Sequence, residues 1–506
     1  MLLGCCLCTR GAGIDNRQLI PAYKPDSEVQ MERRADGRLE TPDWLKSLIL
    51  MEVRIDAASP DETLKGMGSV LDHLAEMGVN GIWLTPPANA STGYGNFGVH
   101  TISARLTGEK EPEKQWQVLR NFVEEAHRRN IRVFFDVVTW GVTTNEGGAP
   151  ILKERPEWFG SYFPPYRGHL FNWENRELRE WFAARLVEWF QRTGVDGFRC
   201  DCEPEYAGFD LFRVVKERMR SEGRKVIFLS EWPSSRKNVF DLEQNSFCYR
   251  NEKGNIYARW FGDTHLNPAK NLVDDIRSGG DMRARDDFDR APGMERYYTY
   301  MLSCHDSPRY LVNGSPIAIG YQAIFAPFIP LWYIGEEWNN PSRFFIDSYY
   351  RTYQRNGEWK PEDRKTWNLY GNVVDWSGKE KNRRFFELVK KMIRIRRQHP
   401  EIFEYFPDNH RESNICRVTT DREDLLQAYA RFRAGTAVLV VPNNGGAPAA
   451  MKISLPFREA GLDPRREYEI SDLLNDRRIT AGRVVDFQAE IPAGGLGVYL
   501  VKPRKK

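Results

Sequence analysis

Short, continuously apolar runs alternate with amphipathic stretches along most of this chain. Leu48-Ile49-Leu50-Met51-Glu52-Val53-Arg54-Ile55 reads as a first strand, and Leu64, Met67, Leu71 and Leu74 follow at helical spacing. Val79 to Leu84 predicts the second strand, closed by Thr85-Pro86-Pro87. A loop of small and polar residues then leads to a helix carrying Trp116, Leu119, Phe122, Val123 and Ala126. Ile131 to Val138 is a third strand, and a polar excursion separates it from a helix with Leu178, Trp181, Phe182, Leu186 and Trp189. The next strands end at Asp201 and Glu231, with a helix through Phe212, Val215 and Met219 between them. Ser246 to Arg250 is the best candidate for the sixth strand, the seventh ends at Asp306, and Ile329 to Gly335 is the eighth. A last amphipathic helix spans about Lys381 to Gln398.

Apolar runs of this kind fit strands buried on both faces of a parallel sheet. Eight strand-then-helix repeats predict an α/β protein built on a (β/α)8 TIM barrel, with a short inserted segment after strand 3. Beyond about residue 408 the period shortens. Leu425 to Phe432, Ala437 to Val441, Met451 to Leu455 and Gly497 to Val501 predict a C-terminal antiparallel β-sandwich. The expected organisation is an N-terminal arm, loosely held, over 1–43, the barrel over 44–139 and 172–407, the insert over 140–171 and the sandwich over 408–506.

At 506 residues the chain is long enough for such a pair of domains. A net charge of +3, with no basic tract before the final Lys505-Lys506, argues against nucleic acid or an anionic membrane as partner. No stretch is long and apolar enough to span a bilayer. The eight cysteines have neither disulfide-framework nor zinc-ligand spacing, so no metal is expected from them. Scattered thiols favour the cytoplasm. Leu2-Leu3-Gly4-Cys5 matches a lipoprotein cleavage box without the charged and apolar run that precedes one, so a truncated signal would make this a lipoprotein. Oligomeric state is not legible.

Three predicted strands deliver acids at their C-terminal ends: Gly197-Phe198-Arg199-Cys200-Asp201, Leu229-Ser230-Glu231 and Ser303-Cys304-His305-Asp306. Carboxylates meeting on one rim of a parallel barrel are what glycosidic-bond cleavage uses.

In order and spacing these segments resemble the α-amylase family, glycoside hydrolase family 13, across about residues 45 to 500. Gly197 to Asp201 is similar to the family's nucleophile motif, which implies Asp201 as nucleophile, with Arg199 keeping it ionised. Glu231 matches the acid/base, seated beside Trp232, and His305 and Asp306 the pair that holds substrate hydroxyls. Phe328 to Glu337 resembles the eighth-strand segment, and Phe171-Asn172-Trp173-Glu174-Asn175 the lead-in to the third helix. Leu302 to Arg309, and Glu205 four places after the nucleophile, lean toward neopullulanases and cyclomaltodextrinases. The resemblance implies catalytic Asp201, Glu231 and Asp306, and substrate-binding Arg199, His305, Asp136, Tyr94, Trp232 and Glu205.

Two segments depart from the family pattern. Asp136-Val137-Val138-Thr139-Trp140-Gly141 keeps the first motif's Asp, but Trp140 and Gly141 replace its Asn and His. That Asn commonly ligates calcium, and tryptophan offers no oxygen, so no cofactor is expected. Where the family has Gly-Tyr-Asp, this chain has Gly93-Tyr94-Gly95 and, further on, His100. The implied activity is a retaining α-glycosidase acting on α-glucans or α-gluco-oligosaccharides, and the two departures point to short oligosaccharides, or an unusual α-linked sugar, in preference to starch. Transglycosylation through the same intermediate, and a non-catalytic carbohydrate-binding relative, are the alternatives.

Overall fold

The structure, a computed structural model, describes residues 13–33, 40–87, 101–144, 148–164, 168–201, 209–231, 239–243, 248–250, 256–258, 273, 297–301, 316–338, 374–404, 414–482 and 485–504. Eight strands form a closed parallel ring: β1 (Leu50–Val53), β2 (Gly81–Leu84), β3 (Arg132–Val138), β4 (Gly197–Asp201), β5 (Ile227–Ser230), β6 (Leu242–Glu243), β7 (Tyr297–Met301) and β8 (Ile329–Tyr333). Each pairs with its neighbours in chain order, and β8 closes on β1 through Leu331 opposite Leu50. All seven residues of β3 are buried, as a strand covered on both faces requires.

Ring closure leaves no room at the start of β4. A Cβ on Gly197 would stand 2.7 Å from the Ile227 carbonyl oxygen and 3.0 Å from the Phe134 ring. Glycine is therefore dictated by the close approach of β3 and β5. The helix Arg176–Thr193, which delivers the chain to β4, starts on Asn175, whose side chain accepts from Leu178 N at 3.0 Å.

The sixth strand is not where periodicity puts it. Cys248–Arg250 pairs antiparallel with Ile256–Ala258 and lies outside the ring, whose sixth member is Leu242–Glu243. Asp241 breaks the apolar run there, which hides the strand from a hydropathy reading. Its carboxylate is fully buried and is neutralised by Lys216 at 2.7 Å and by Phe228 N–H at 3.0 Å.

After β3 the chain makes a small antiparallel sheet of Gly141–Thr143, Phe159–Phe163 and Gly168–Phe171. At the C-terminal end, two antiparallel sheets of six and three strands cover a common apolar core that includes Leu439, Ile453, Ile470 and Val501. One buried arginine, Arg431, joins this domain to the barrel, and a second, Arg396, braces the barrel side from its last helix. Arg431 donates to the carbonyls of Phe325 at 3.2 Å and Ile402 at 3.0 Å, and Arg396 to those of Ile324 at 2.5 Å and Phe328 at 3.2 Å. The Ile324, Phe325 and Phe328 carbonyls lie at the end of the π-helix Ile317–Ile324 and in the segment after it.

The N-terminal arm is not loose where it is described. Asn16 is fully buried, and its amide donates to Met77 O at 2.8 Å and Lys390 O at 2.9 Å, while its oxygen accepts from Arg394 at 2.9 Å. One polar side chain thus ties the helix before β2 to the last barrel helix. The arm reads as polar in sequence because its anchors are hydrogen bonds rather than apolar contacts.

Candidate active site

β3, β4 and β5 lie side by side, with Asp136 opposite Arg199 and Arg199 opposite Leu229. Alternation along parallel strands then puts Asp136, Arg199, Asp201 and Glu231 on one face. Arg199 binds all three acids. Its Nη1 reaches Asp136 Oδ2 at 3.1 Å and Asp201 Oδ1 at 2.8 Å, and its Nη2 reaches Glu231 Oε1 at 2.8 Å. The four side chains are buried, Asp201 being the most accessible at 11%.

One guanidinium cannot neutralise three carboxylates. Burial raises the Asp201 carboxyl well above the ordinary carboxylate range, and the charges of Glu231 and Asp136 add to this. Arg199 pulls in the opposite direction and is outweighed. Arg199 favours the ionised form of Asp201, in the expected direction, but its guanidinium is divided among three acids. Asp201 and Glu231 are thus two carboxyls held against one guanidinium. One carboxylate and one carboxylic acid is the complement a retaining glycosidase needs.

Two further residues position the group. Thr139 sends both N–H (3.0 Å) and Oγ1 (2.6 Å) to the Asp201 carbonyl, fixing the end of β4. Trp83 donates its indole N–H to Asp136 Oδ2 at 3.1 Å, and the Arg199 guanidinium carbon lies 4.9 Å from its ring centre. Sequence reading missed both. An inward tryptophan on β2 looks like core, and only its register beside β3 could have flagged it. Tyr94, Glu205, Trp232, His305 and Asp306 lie outside the described residues.

Trp140 packs with Val138 and Leu170, and its carbonyl accepts Phe171 N–H at 3.0 Å. The Thr139 carbonyl accepts Trp173 Nε1 at 3.2 Å. The backbone oxygens of Thr139 and Trp140 are thus engaged inside the protein. Among the described residues, no group of three or more His, Cys, Asp or Glu side chains could hold a metal.

A second acidic pair follows β8, where Gly335, at φ 102°, turns the chain into Glu336 and Glu337. Glu337 is satisfied by His73 at 2.6 Å, Trp332 Nε1 at 3.2 Å and Gly335 N–H at 2.9 Å. Glu336 is fully buried and neither of its oxygens has a partner. Burial, then the charges of Glu337 and Glu52, push its carboxyl far up. A folded-state value above the ordinary 4.5 means its favourable contribution is complete below that pH and is lost as pH rises. Glu336→Met should therefore stabilise the protein by about 1–3 kcal/mol near neutral pH. Urea melts from pH 4 to 8 should show the gain growing with pH.

No family model matches the chain. It is 22% identical to malto-oligosyltrehalose trehalohydrolase of Deinococcus radiodurans, over 88% of this chain and 80% of that protein. Similarity to α-amylase MalA of Haloarcula japonica is 24% over 89% of this chain, which spans 63% of the relative's length. A cyclomaltodextrinase of Geobacillus thermopakistaniensis is 22% identical over 87% of this chain and 70% of its own. Among solved structures, the noncanonic maltogenic α-amylase AmyB of Thermotoga neapolitana superposes with a TM-score of 0.63 at 19% identity, covering 91% of this chain and all of that one. Long alignments to several differently named enzymes, a shared fold, and an arginine-linked trio of acids on β3, β4 and just past β5 agree: the chain is similar in sequence and fold to glycoside hydrolases of the α-amylase family.

Proposed function

We propose that this protein is a retaining α-glycosidase acting on α-glucans or α-gluco-oligosaccharides, with Asp201 as nucleophile and Glu231 as acid/base. The observation that carries the reading is Arg199 holding Asp201 and Glu231 at 2.8 Å each, on adjacent strand ends. The Asp201 carboxylate attacks the anomeric carbon while the Glu231 proton passes to the departing glycosidic oxygen, and the C–O bond breaks. Glu231, now a carboxylate, takes a proton from water as that water attacks the anomeric carbon, and Asp201 leaves. Asp306 and His305 grip hydroxyls of the reacting sugar, and Tyr94, Trp232 and Glu205 complete the pocket. If a second sugar replaces water, the same steps give transglycosylation. The names of the relatives, which include a trehalohydrolase, an α-amylase and a cyclomaltodextrinase, support an α-glucosidic substrate.

The short insert and the Trp140–Val138 contact beside β4 favour short chains over starch. Comparing kcat/KM on maltotriose, cyclodextrin, pullulan and soluble starch, with product analysis for transfer, tests this. Starch as the best substrate by a wide margin would overturn the preference. No turnover on any of the four would leave a carbohydrate-binding relative as the better reading.

No resident calcium belongs to this proposal, because the oxygens near Trp140 already have partners. Thermal melts in chelator and in millimolar calcium should coincide. A large upward shift with calcium contradicts the assignment.

A further inference from the structure

We propose that Trp83 is a positioning residue for the acid pair: its indole N–H and ring face hold Asp136 and Arg199 so that one guanidinium serves Asp201 and Glu231 together. The inference rests on the glycosidase reading and deepens it. Arg199 Nη1 divides its hydrogens between Asp136 Oδ2 at 3.1 Å and Asp201 Oδ1 at 2.8 Å. Trp83 Nε1 donates to that same Asp136 Oδ2 at 3.1 Å, so part of the demand Asp136 makes on Nη1 is met from β2. The ring lies beside the guanidinium, 4.9 Å from centroid to Cζ, which restrains its pivoting and adds cation–π attraction. Trp83 is fully buried and in register with Glu52 on β1 and Phe134 on β3. Trp83 is buried, and its indole N–H is satisfied by the Asp136 carboxylate.

Among the described residues, the charged groups facing Asp201 are Glu231, Arg199 and Asp136, with the buried Glu52 on β1 beyond Trp83 and Tyr333 opposite Glu52 on β8. Without the indole N–H, Asp136 draws Nη1 toward itself and away from Asp201. The Asp201 carboxyl then loses its proton only at higher pH. Since the acid limb of kcat/KM follows the free enzyme's nucleophile, that limb moves up.

The test compares wild type, Trp83→Phe, Trp83→Tyr and Trp189→Phe. Trp189 is an equally buried tryptophan packed on Trp116, Phe135 and Phe198, away from the acids. Both Trp83 variants should lower kcat about tenfold with KM nearly unchanged, and raise the acid limb by about one pH unit. Difference infrared titration of the buried carboxyl bands should move in parallel, whereas Trp189→Phe changes stability alone. An unmoved limb in a folded Trp83 variant, an equal shift in Trp189→Phe, or loss of fold in both Trp83 variants overturns the proposal. If wild type cleaves no α-glucan, the glycosidase reading fails, and the infrared titration still decides the role of Trp83.

Discussion

Asp201→Asn and Glu231→Gln are each expected to abolish turnover on a confirmed substrate while leaving the fold intact. Asparagine cannot form the glycosyl ester, so Asp201→Asn should fall to background. Glutamine cannot donate a proton to the leaving oxygen, and removing a general acid costs about 10²–10⁴-fold. Neither change alters volume much, and each removes one negative charge from a site where three acids share one guanidinium. Thermal stability should therefore hold or rise, the usual exchange between activity and stability at a strained site. In Glu231→Gln the loss of the neighbouring charge also lets Asp201 ionise at lower pH. Near wild-type rates in either variant would remove the role assignment, whereas loss of rate together with loss of fold would leave it unproven for that variant.

The second large effect concerns Arg199 itself. Arg199→Met leaves Asp136, Asp201 and Glu231 buried without a counter-charge, and breaking a buried pair by deleting one partner costs about 3–5 kcal/mol. With the guanidinium gone, Asp201 loses the influence that lowers its carboxyl's titration, so its folded value climbs further. A raised folded value means stability is fully present at low pH and is lost as pH rises. Denaturation midpoints of Arg199→Met should thus approach wild type below about pH 4 and fall steeply toward neutrality. A pH-independent deficit would mean the cost is packing around Trp83 rather than charge.

Much of the barrel was legible because its strands are buried on both faces and therefore read as unbroken apolar runs. β3 and β5 are of this kind, and so are the runs that carry Asp136, Asp201 and Glu231. Asp201 and Glu231 were recognisable because each terminates such a run, and Asp136 because it is the acid inside the apolar run of β3. β6 was missed for the converse reason: Asp241, immediately before it, breaks the apolar run, and the compensation by Lys216 comes from an earlier helix, where no local pattern shows it. The charge state of Asp201 was also beyond sequence reading. An Arg two places before an Asp implies a pair that Asp136 orients, and the fold adds that Glu231 shares the same guanidinium with both. Trp83 and Thr139 belong to that class too, since their partners are set by register between strands.

Asn16 has a consequence for how the chain is made. Its amide joins backbone positions on the first and last helices of the barrel, and Lys390 lies 374 residues away. A ribosome adding about 5–20 residues per second needs roughly 20–75 s to travel between them. Through most of that interval β1 has β2 on one side and no β8 on the other, an open sheet edge of the kind that pairs with other chains. Contacts of such long sequence separation also make closure slow once synthesis ends. The ring's weakest moment is therefore kinetic, and its yield in a cell will depend on temperature and chaperone supply more steeply than its final stability does.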